Sequence, residues 1–173
     1  FPHLCLTVSG GHTALYCVED FGSFALVGQT RDDAAGEAFD KVAKLIGFGY
    51  PGGATIERLA REVNFEDFYR YPRTKTTPGD FSFSFSGLKT AVLYDLAKRG
   101  HLDLATGHAT TSLTPRVQQE VASSLLVCIG DVLVKAITRA LAARPGMKAI
   151  SFVGGVACNK YLRARLQEIA DQN

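Results

Sequence analysis

The chain has 173 residues, of which 46% are hydrophobic and 21% are charged, a composition typical of one globular domain with a sizeable core. No uninterrupted apolar run approaches the roughly 20 residues of a membrane-spanning helix, so the sequence predicts no membrane segment. The net charge of +2 argues against a strongly basic nucleic-acid-binding protein but leaves a local basic patch open.

The cysteines and histidines give no sign of a metal centre. The four cysteines are Cys5, Cys17, Cys128 and Cys158. They form no CxxC pair, and three of the four lie in apolar runs. This pattern is typical of free thiols in a reduced, cytoplasmic protein. No two of the four histidines have the i, i+4 spacing of a helical metal site. We therefore expect no metal site built wholly within this chain.

The first elements are two short apolar runs that flank Ser9-Gly10-Gly11-His12. A Gly-Gly pair between two such runs predicts a β-hairpin, because glycine reaches positive φ without a Cβ clash. The same pair also exposes backbone N–H groups with no side chain in front of them. Two interpretations stay open here, a plain turn and a turn that holds an anion.

A third strand is predicted at residues 23–28, which completes a three-stranded meander. A helix through Ile46 follows, with Asp32 and Asp33 as candidate N-caps. On this helix Asp40 is either the exposed half of an ion pair with Lys44 or lies beside a site that something approaches. The second interpretation rests on Gly36, one turn earlier, since a glycine costs a helix up to about 1 kcal/mol relative to alanine.

Gly52-Gly53 precedes a short predicted helix at residues 54–63. Free N–H groups and the helix dipole make such a start suitable for an anion or a hydroxyl group, and an ordinary helix entry is the alternative. Glu57 is expected in the first turn, where a carboxylate suits the dipole, and it could also bind a hydroxyl.

Residues 64–80 mix aromatic with basic side chains, and two interpretations stay open for them. The segment contacts nucleic acid, or its aromatic rings pack back onto the domain. The strict Phe/Ser alternation at residues 81–86 then predicts a half-buried strand, followed by a helix that ends before Gly100.

Thr114-Pro115 predicts the start of a long helix that ends near Ala143. Residues 148–153 form an apolar run without alternation, typical of a buried parallel strand. Gly154-Gly155 follows at once, and a helix is predicted at residues 159–169. Loops at the carboxyl ends of such strands often bind ligands. Asn159 therefore either contacts a base or a ribose or caps its helix.

The order of elements predicts an α/β fold, an RNase H-like lobe of the actin, Hsp70 and sugar-kinase superfamily with a mixed sheet and helices on both faces. We expect one partial lobe over residues 1–173, with an inserted helical segment at about 54–100. The chain starts in a predicted strand and ends in a predicted helix, so we expect a piece of a longer protein.

Several long motifs, spread over nearly the whole chain, carry a specific resemblance. They are Val8–Thr13, Asp32–Lys41, Tyr50–Gly53, Phe81–Thr90 and Gly154–Asn159. These stretches resemble the TsaD family, the bacterial tRNA threonylcarbamoyltransferases formerly labelled O-sialoglycoprotein endopeptidases. The resemblance implies transfer of a threonylcarbamoyl group from threonylcarbamoyl-AMP to N6 of the adenosine beside the anticodon, in tRNAs that read ANN codons.

The resemblance also implies which residues bind the substrate. These are Thr7, Val8, Ser9, Gly10, Gly11, Asp40, Gly53 and Asn159, with Glu57 at a position that only some relatives use and Gly154-Gly155 as a phosphate or adenosine loop. No catalytic side chain is implied, because the tRNA amine is itself the nucleophile. His12 has no plausible catalytic partner, and we expect a structural role for it.

The resemblance further implies one divalent metal, iron or zinc, in the full-length protein. Its ligands would lie on an HxxxH-type motif before Phe1 and an aspartate after Asn173, so none is expected in this chain. The implied partners are tRNA and TsaB-like and TsaE-like proteins, in the cytoplasm and away from membranes. A carbohydrate or acetate kinase lobe and a non-catalytic scaffold lobe remain the alternatives.

Overall fold

The computed structural model describes residues 1–73, 77–106 and 113–172. The strands are β1 (His3–Val8), β2 (Thr13–Asp20), β3 (Ser23–Gln29) and β4 (Ile150–Val153). The helices are α1 (Ala35–Leu45), α2 (Gly52–Arg61), α3 (Ser86–Lys98), α4 (Pro115–Ala143) and α5 (Lys160–Gln172), with a short 3₁₀ helix at Gly155–Cys158. The predicted meander and the long α4 are confirmed.

The four strands form one mixed sheet in the order β3-β2-β1-β4. β2 is antiparallel to both β1 and β3, whereas β4 runs parallel to β1. Burial alternates along β1, where Leu4, Leu6 and Val8 are fully buried and the residues between them are half-exposed. This arrangement confirms the predicted α/β class with a mixed sheet.

The position of β4 differs from the prediction of a buried strand. The strand lies at the edge of the sheet, and among the described residues it pairs only with β1. Its residues are half-buried or exposed, and Val153 is 42% exposed. The apolar run therefore identified a parallel strand correctly, but sequence alone does not distinguish an edge position from a central one.

The chain groups into two compact units. Unit 1 comprises Phe1–Glu37, Arg73–Phe85 and Ile129–Asn173 and contains the sheet, with a core that includes Leu6, Leu15, Phe83 and Ile137. Unit 2 comprises Ala38–Pro72 and Ser86–Cys128 and is helical, with a core that includes Phe39, Ile56, Leu96 and Leu125. The single partial lobe with an insertion at about 54–100 stays a prediction.

The strand predicted at residues 81–86 is wrong. Only one isolated bridge forms there, between Thr30 and Phe83. Phe83 and Phe85 are buried as the alternation predicted. Phe83 bonds to the backbone at the end of β3, because its N–H donates to the Gln29 carbonyl at 3.1 Å and its carbonyl accepts from the Arg31 N–H at 3.0 Å. The residues on either side of Phe83 bond to carboxylates instead: Ser82 donates to Asp80, and the Phe85 N–H donates to Asp32 at 2.8 Å. Alternation of apolar and polar residues indicates only that one side of an extended segment is buried. An extended loop can have this pattern as well as a strand.

Helix α4 is long and apolar enough to cross a membrane by length and composition alone, so the prediction of no membrane segment stays untested. It has 29 residues, and an 18-residue window within it reaches a mean hydropathy of 1.8. That window is 72% buried within the fold, as the core helix of a soluble protein also is. Length and composition alone are therefore weak evidence for a membrane span. Its start is as predicted, because the Thr114 hydroxyl accepts a hydrogen bond from the Val117 N–H at 3.3 Å.

Candidate functional site

Each unit holds one group of the predicted site residues. Unit 1 holds Thr7, Val8, Ser9, Gly10, Gly11, Gly154, Gly155 and Asn159, and unit 2 holds Asp40, Gly53 and Glu57. The structure thus brings the two Gly-Gly segments at 10–11 and 154–155 into one unit.

The predicted hairpin between β1 and β2 is confirmed, and the hydroxyl of Ser9 organises its turn. The Ser9 Oγ accepts hydrogen bonds from the His12 N–H at 3.0 Å and the Gly11 N–H at 3.3 Å. The Ser9 N–H donates to the His12 carbonyl at 2.8 Å. A Cβ added at Gly10 or Gly11 would meet no atom within 4 Å. The backbone of these two glycines is therefore open to a ligand, and the bound anion stays a prediction.

The second Gly-Gly segment lies directly beside the end of β1. Thr7 and Val153 are register partners in the parallel pair, so the chain leaves both strands at the same edge of the sheet. Gly154 has a φ of +98°, and a Cβ there would lie 2.3 Å from the carbonyl oxygen of Val8. Only glycine allows this approach of two backbones. The two segments form one surface of exposed glycine backbone.

Asn159 caps helix α5. Its Oδ1 accepts a hydrogen bond from the Leu162 N–H at 3.0 Å, and its own backbone is extended, with φ −67° and ψ 115°. The helix therefore begins at Lys160 rather than at Asn159. This is the capping role that the sequence left open, and a contact with a base or a ribose stays a prediction.

Thr13 is a site residue that the sequence interpretation missed. It is buried, and its Oγ1 accepts a hydrogen bond from the Ala35 N–H at 3.0 Å, which caps α1 from the hairpin. The predicted cap at Asp32 is wrong, because that carboxylate bonds to Ser84 and Phe85 instead. No local pattern could have found Thr13, since it lies 22 residues before its partner.

Gly36 lies in the first turn of α1, and a close contact with the hairpin turn explains why this position is a glycine. The Gly36 N–H donates to the Ser9 carbonyl at 3.2 Å, and a Cβ on Gly36 would lie 2.5 Å from that oxygen. An approach to the backbone near this glycine was one of the two interpretations that the sequence left open. Within unit 1 the hairpin turn does so.

We expect Gly36→Ala to destabilise the protein by about 1–2 kcal/mol, since the clash with Ser9 outweighs the helix propensity gained. Urea denaturation of the full-length protein measures this change. Gly87→Ala is the matched control, because Gly87 is also in the first turn of a helix and a Cβ there meets nothing within 4 Å. Equal stability changes in the two variants would show that the contact with Ser9 does not constrain Gly36.

In unit 2, Asp40 holds the start of α2. Its Oδ1 accepts a hydrogen bond from the Gly52 N–H at 2.7 Å. A carboxylate at this place also interacts favourably with the helix dipole. The backbone segments are close, because a Cβ on Gly52 would lie 2.7 Å from the Phe39 carbonyl oxygen. Asp40 therefore does more than serve as one partner of a surface ion pair. It fixes the backbone that leads into Gly53.

Gly53 and Glu57 both lie on α2, which starts at Gly52 rather than at Ala54. The earlier start places Glu57 in the second turn, so the predicted first-turn position is wrong. The Glu57 side chain is 12% exposed and forms an ion pair with Arg61 at 3.7 Å. Gly53 is open, with Phe39 Cδ2 as the nearest atom to an added Cβ at 3.9 Å.

The aromatic residues of segment 65–72 pack onto their own unit. The Ser124 hydroxyl accepts hydrogen bonds from the N–H groups of Phe68 and Tyr69, at 2.9 and 3.1 Å. The Tyr69 hydroxyl donates to Glu120, and burial, followed by this hydrogen bond, raises the pKa of Tyr69 to about 12. Tyr71 is 4% exposed. These contacts favour the interpretation in which the rings pack against the domain.

In the part of the chain that the structure describes, no three His, Cys, Asp or Glu side chains are grouped so that they could hold a metal ion. The described residues therefore do not fit a metal centre.

Comparison with known proteins places these features in a family. The family model of TsaD, tRNA N6-adenosine threonylcarbamoyltransferase, matches residues 1–173. Curated relatives of that name are 45% identical over 172 residues in Kosmotoga olearia, 48% over 168 in Syntrophotalea carbinolica and 46% over 170 in Salinibacter ruber. These alignments cover 97–99% of this chain but only 46–48% of the relatives. The chain therefore spans about half the length of the curated relatives it matches.

Proposed function

The chain belongs to the TsaD family of tRNA N6-adenosine threonylcarbamoyltransferases, and from this premise we propose that it is part of an acyltransferase that modifies tRNA. The enzyme transfers the threonylcarbamoyl group of threonylcarbamoyl-AMP to N6 of the adenosine beside the anticodon, in tRNAs that read ANN codons. The observation that carries this proposal is the match of the family over the entire chain.

The exposed glycine backbone of unit 1 supports the binding of an adenylate. Gly10, Gly11 and Gly155 have no atom within 4 Å of an added Cβ, so a phosphate group can approach their backbone closely. Gly154 holds the second segment against β1. We assign the phosphate and the adenosine of threonylcarbamoyl-AMP to this surface.

The reaction needs no nucleophilic side chain. The N6 amine of the tRNA adenosine attacks the carbonyl carbon of the threonylcarbamoyl group and loses a proton. The bond from that carbon to the phosphate oxygen breaks, and AMP leaves with the bonding electrons. The work of the protein is to orient the two substrates and to stabilise the charge on the departing phosphate.

The other family positions complete the proposed binding set. Thr7, Val8 and Ser9 lead into the hairpin turn, and Asn159 follows the second Gly-Gly segment. In unit 2, Asp40 fixes the start of α2, and Gly53 and Glu57 lie on that helix. Each of these residues is proposed to contact the adenylate through its match to the family pattern.

The full-length protein is proposed to carry one divalent metal, iron or zinc. No group of three possible ligands occurs among the described residues. The resemblance assigns the ligands to other parts of the protein, and no step above depends on the metal.

The proposed partners are tRNA as substrate and TsaB-like and TsaE-like proteins as components of the same system. The resemblance to the family is the ground on which we propose a cytoplasmic location without association with a membrane.

We expect the isolated 173-residue chain to transfer no threonylcarbamoyl group, since it spans about half of its relatives. The full-length protein, mixed with its partner proteins, threonylcarbamoyl-AMP and unmodified tRNA, should produce the modified adenosine. Mass spectrometry of nucleosides released from the tRNA measures both reactions. Modified adenosine from the isolated chain would contradict the prediction of inactivity.

The same assay tests the proposed function itself. Absence of modified adenosine with the full-length protein and all partners would refute it. Transfer of phosphate from ATP to a member of a sugar panel would instead favour the kinase alternative.

A further inference from the structure

Unit 1 carries a concentrated group of cations around the ring of Phe81. The guanidinium carbons of Arg144 and Arg139 lie 5.1 and 5.8 Å from the ring centroid. Other cations are linked to this ring indirectly, because they line a cavity with it or pair with the carboxylates of that lining. We call the group the Phe81 surface, and its cations are Arg31, Arg73, Lys135, Arg139, Arg144 and Arg165.

The Phe81 surface holds more positive charge than the chain as a whole. Among the described residues, the carboxylates that pair with these cations or line the common cavity are Asp80 and Asp131, so the formal charges of these eight residues sum to +4. The net charge of the whole chain is only +2, so the remaining residues are slightly acidic. A modest net charge therefore conceals a strongly basic face.

The two carboxylates order the cations without neutralising them. Asp131 accepts hydrogen bonds from Arg73 at 2.7 Å and from Arg165 at 3.0 Å, so one carboxylate serves two arginines. Asp80 pairs with Arg31. Hydrogen bonds from Ser82, then the positive charges of Arg31 and Arg139, hold the pKa of Asp80 below its usual value. Asp80 therefore stays ionised at neutral pH and keeps its pair with Arg31.

A small cavity lies in the middle of these cations. Its volume is about 130 Å³, and its charged lining consists of three cations, Arg73, Lys135 and Arg139, and the two carboxylates, Asp80 and Asp131, beside the ring of Phe81. Lys135 is exposed on α4, and in the described part of the chain no ion pair involves it. Ligand pockets usually enclose about 300–1,000 Å³. This cavity is therefore too small for a nucleotide but has room for one phosphate group of a larger molecule.

We propose that the Phe81 surface binds the phosphate backbone of tRNA, with one phosphate group in the cavity beside Lys135. A polyanion explains the arrangement better than a free phosphate ion, because Arg144 lies over the Phe81 ring but outside the cavity lining, and a single phosphate in the cavity leaves it unused. The guanidinium groups over Phe81 also present flat faces on which an unpaired base can stack. This inference rests on the proposed function, which makes tRNA the polyanion that the enzyme must bind.

The test compares Lys135→Ala with Lys98→Ala in the full-length protein with its partners. Both lysines are exposed on helices, α4 and α3, and both substitutions remove one charge and introduce the best helix former. Fluorescence anisotropy of labelled, unmodified tRNA over a series of salt concentrations measures the affinity. For Lys135→Ala we expect a roughly three- to tenfold loss of affinity and a salt slope reduced by about 1, while Lys98→Ala behaves as wild type.

The double variant Lys135→Ala/Arg144→Ala should lose more affinity than Lys135→Ala and reduce the salt slope further. Equal affinities and slopes for Lys135→Ala and Lys98→Ala would overturn the proposal. A raised KM for threonylcarbamoyl-AMP with unchanged tRNA affinity would overturn it in favour of a small-anion site. Loss of a partner protein from the complex with unchanged tRNA affinity would do so in favour of an acidic protein surface.

The anisotropy measurement keeps this inference separate from the proposed function. If the wild-type protein transfers the group but Lys135→Ala binds tRNA normally, only the Phe81 surface fails. If the wild-type protein binds tRNA through Lys135 but modifies no adenosine, only the proposed function fails.

Discussion

Gly154→Ala is expected to destabilise the full-length protein by about 2–4 kcal/mol and to remove most of its transferase activity. Two physical effects add at this position. The φ of +98° is strained for any residue with a side chain, and the added Cβ would lie 2.3 Å from the Val8 carbonyl oxygen. The clashing atom belongs to the backbone of β1, which is paired on both sides. It cannot move away without breaking the sheet, so the loop after β4 must move instead.

Gly155→Ala is the matched control for stability. The neighbouring glycine has no positive φ, and an added Cβ would meet nothing within 4 Å. In urea denaturation, Gly154→Ala should therefore be less stable than Gly155→Ala by most of the loss expected for Gly154→Ala. Assays of modified adenosine should show Gly154→Ala as the less active variant. If Gly154→Ala were as stable as Gly155→Ala, the close approach of Gly154 to the Val8 carbonyl would be refuted.

Much of the fold could be predicted from local patterns. The glycine pair at 10–11 between two apolar runs gave the hairpin, and Gly47 and Gly100, both at positive φ, follow the ends of α1 and α3 as expected. Thr114 and Pro115 located the start of α4. In each case the residues that decide the backbone conformation are neighbours in sequence, so one short stretch contains the whole signal.

The remaining features depend on contacts between distant residues. Thr13 caps α1, and Asp32 bonds to Phe85, 53 residues away. The Phe81 surface is assembled from arginines between positions 31 and 165, so no charge run in the sequence announces it. The sequence pattern assigns each polar residue a hydrogen-bond partner that is close in sequence. In the fold the actual partners are distant in sequence.

Asp40 combines a visible structural contact with a proposed binding role, and two substitutions separate them. Asp40→Ala removes the acceptor of the buried Gly52 N–H, so we expect a loss of about 1–3 kcal/mol in stability together with a loss of transfer. Asp40→Asn keeps a carbonyl oxygen for that N–H. Its stability should fall by only about 0.3–1 kcal/mol, which is the interaction of a negative charge with the helix dipole. Urea denaturation measures this difference.

The activity of Asp40→Asn is the decisive result. In the wild type, Oδ1 is held by the Gly52 N–H, and no hydrogen bond in the described part of the chain engages Oδ2, which is therefore available to accept from a substrate hydroxyl. With asparagine, the carbonyl oxygen takes the place of Oδ1 and an NH₂ donor replaces Oδ2. We expect the KM for threonylcarbamoyl-AMP to rise roughly tenfold or more, while Glu62→Gln, an exposed carboxylate lost just after α2, leaves it unchanged. A wild-type KM in Asp40→Asn would mean that Asp40 only positions α2. Nothing else in the described part of unit 2 bonds to the Gly52 N–H. Unchanged modification by Asp40→Ala would therefore show that transfer does not need this positioning either.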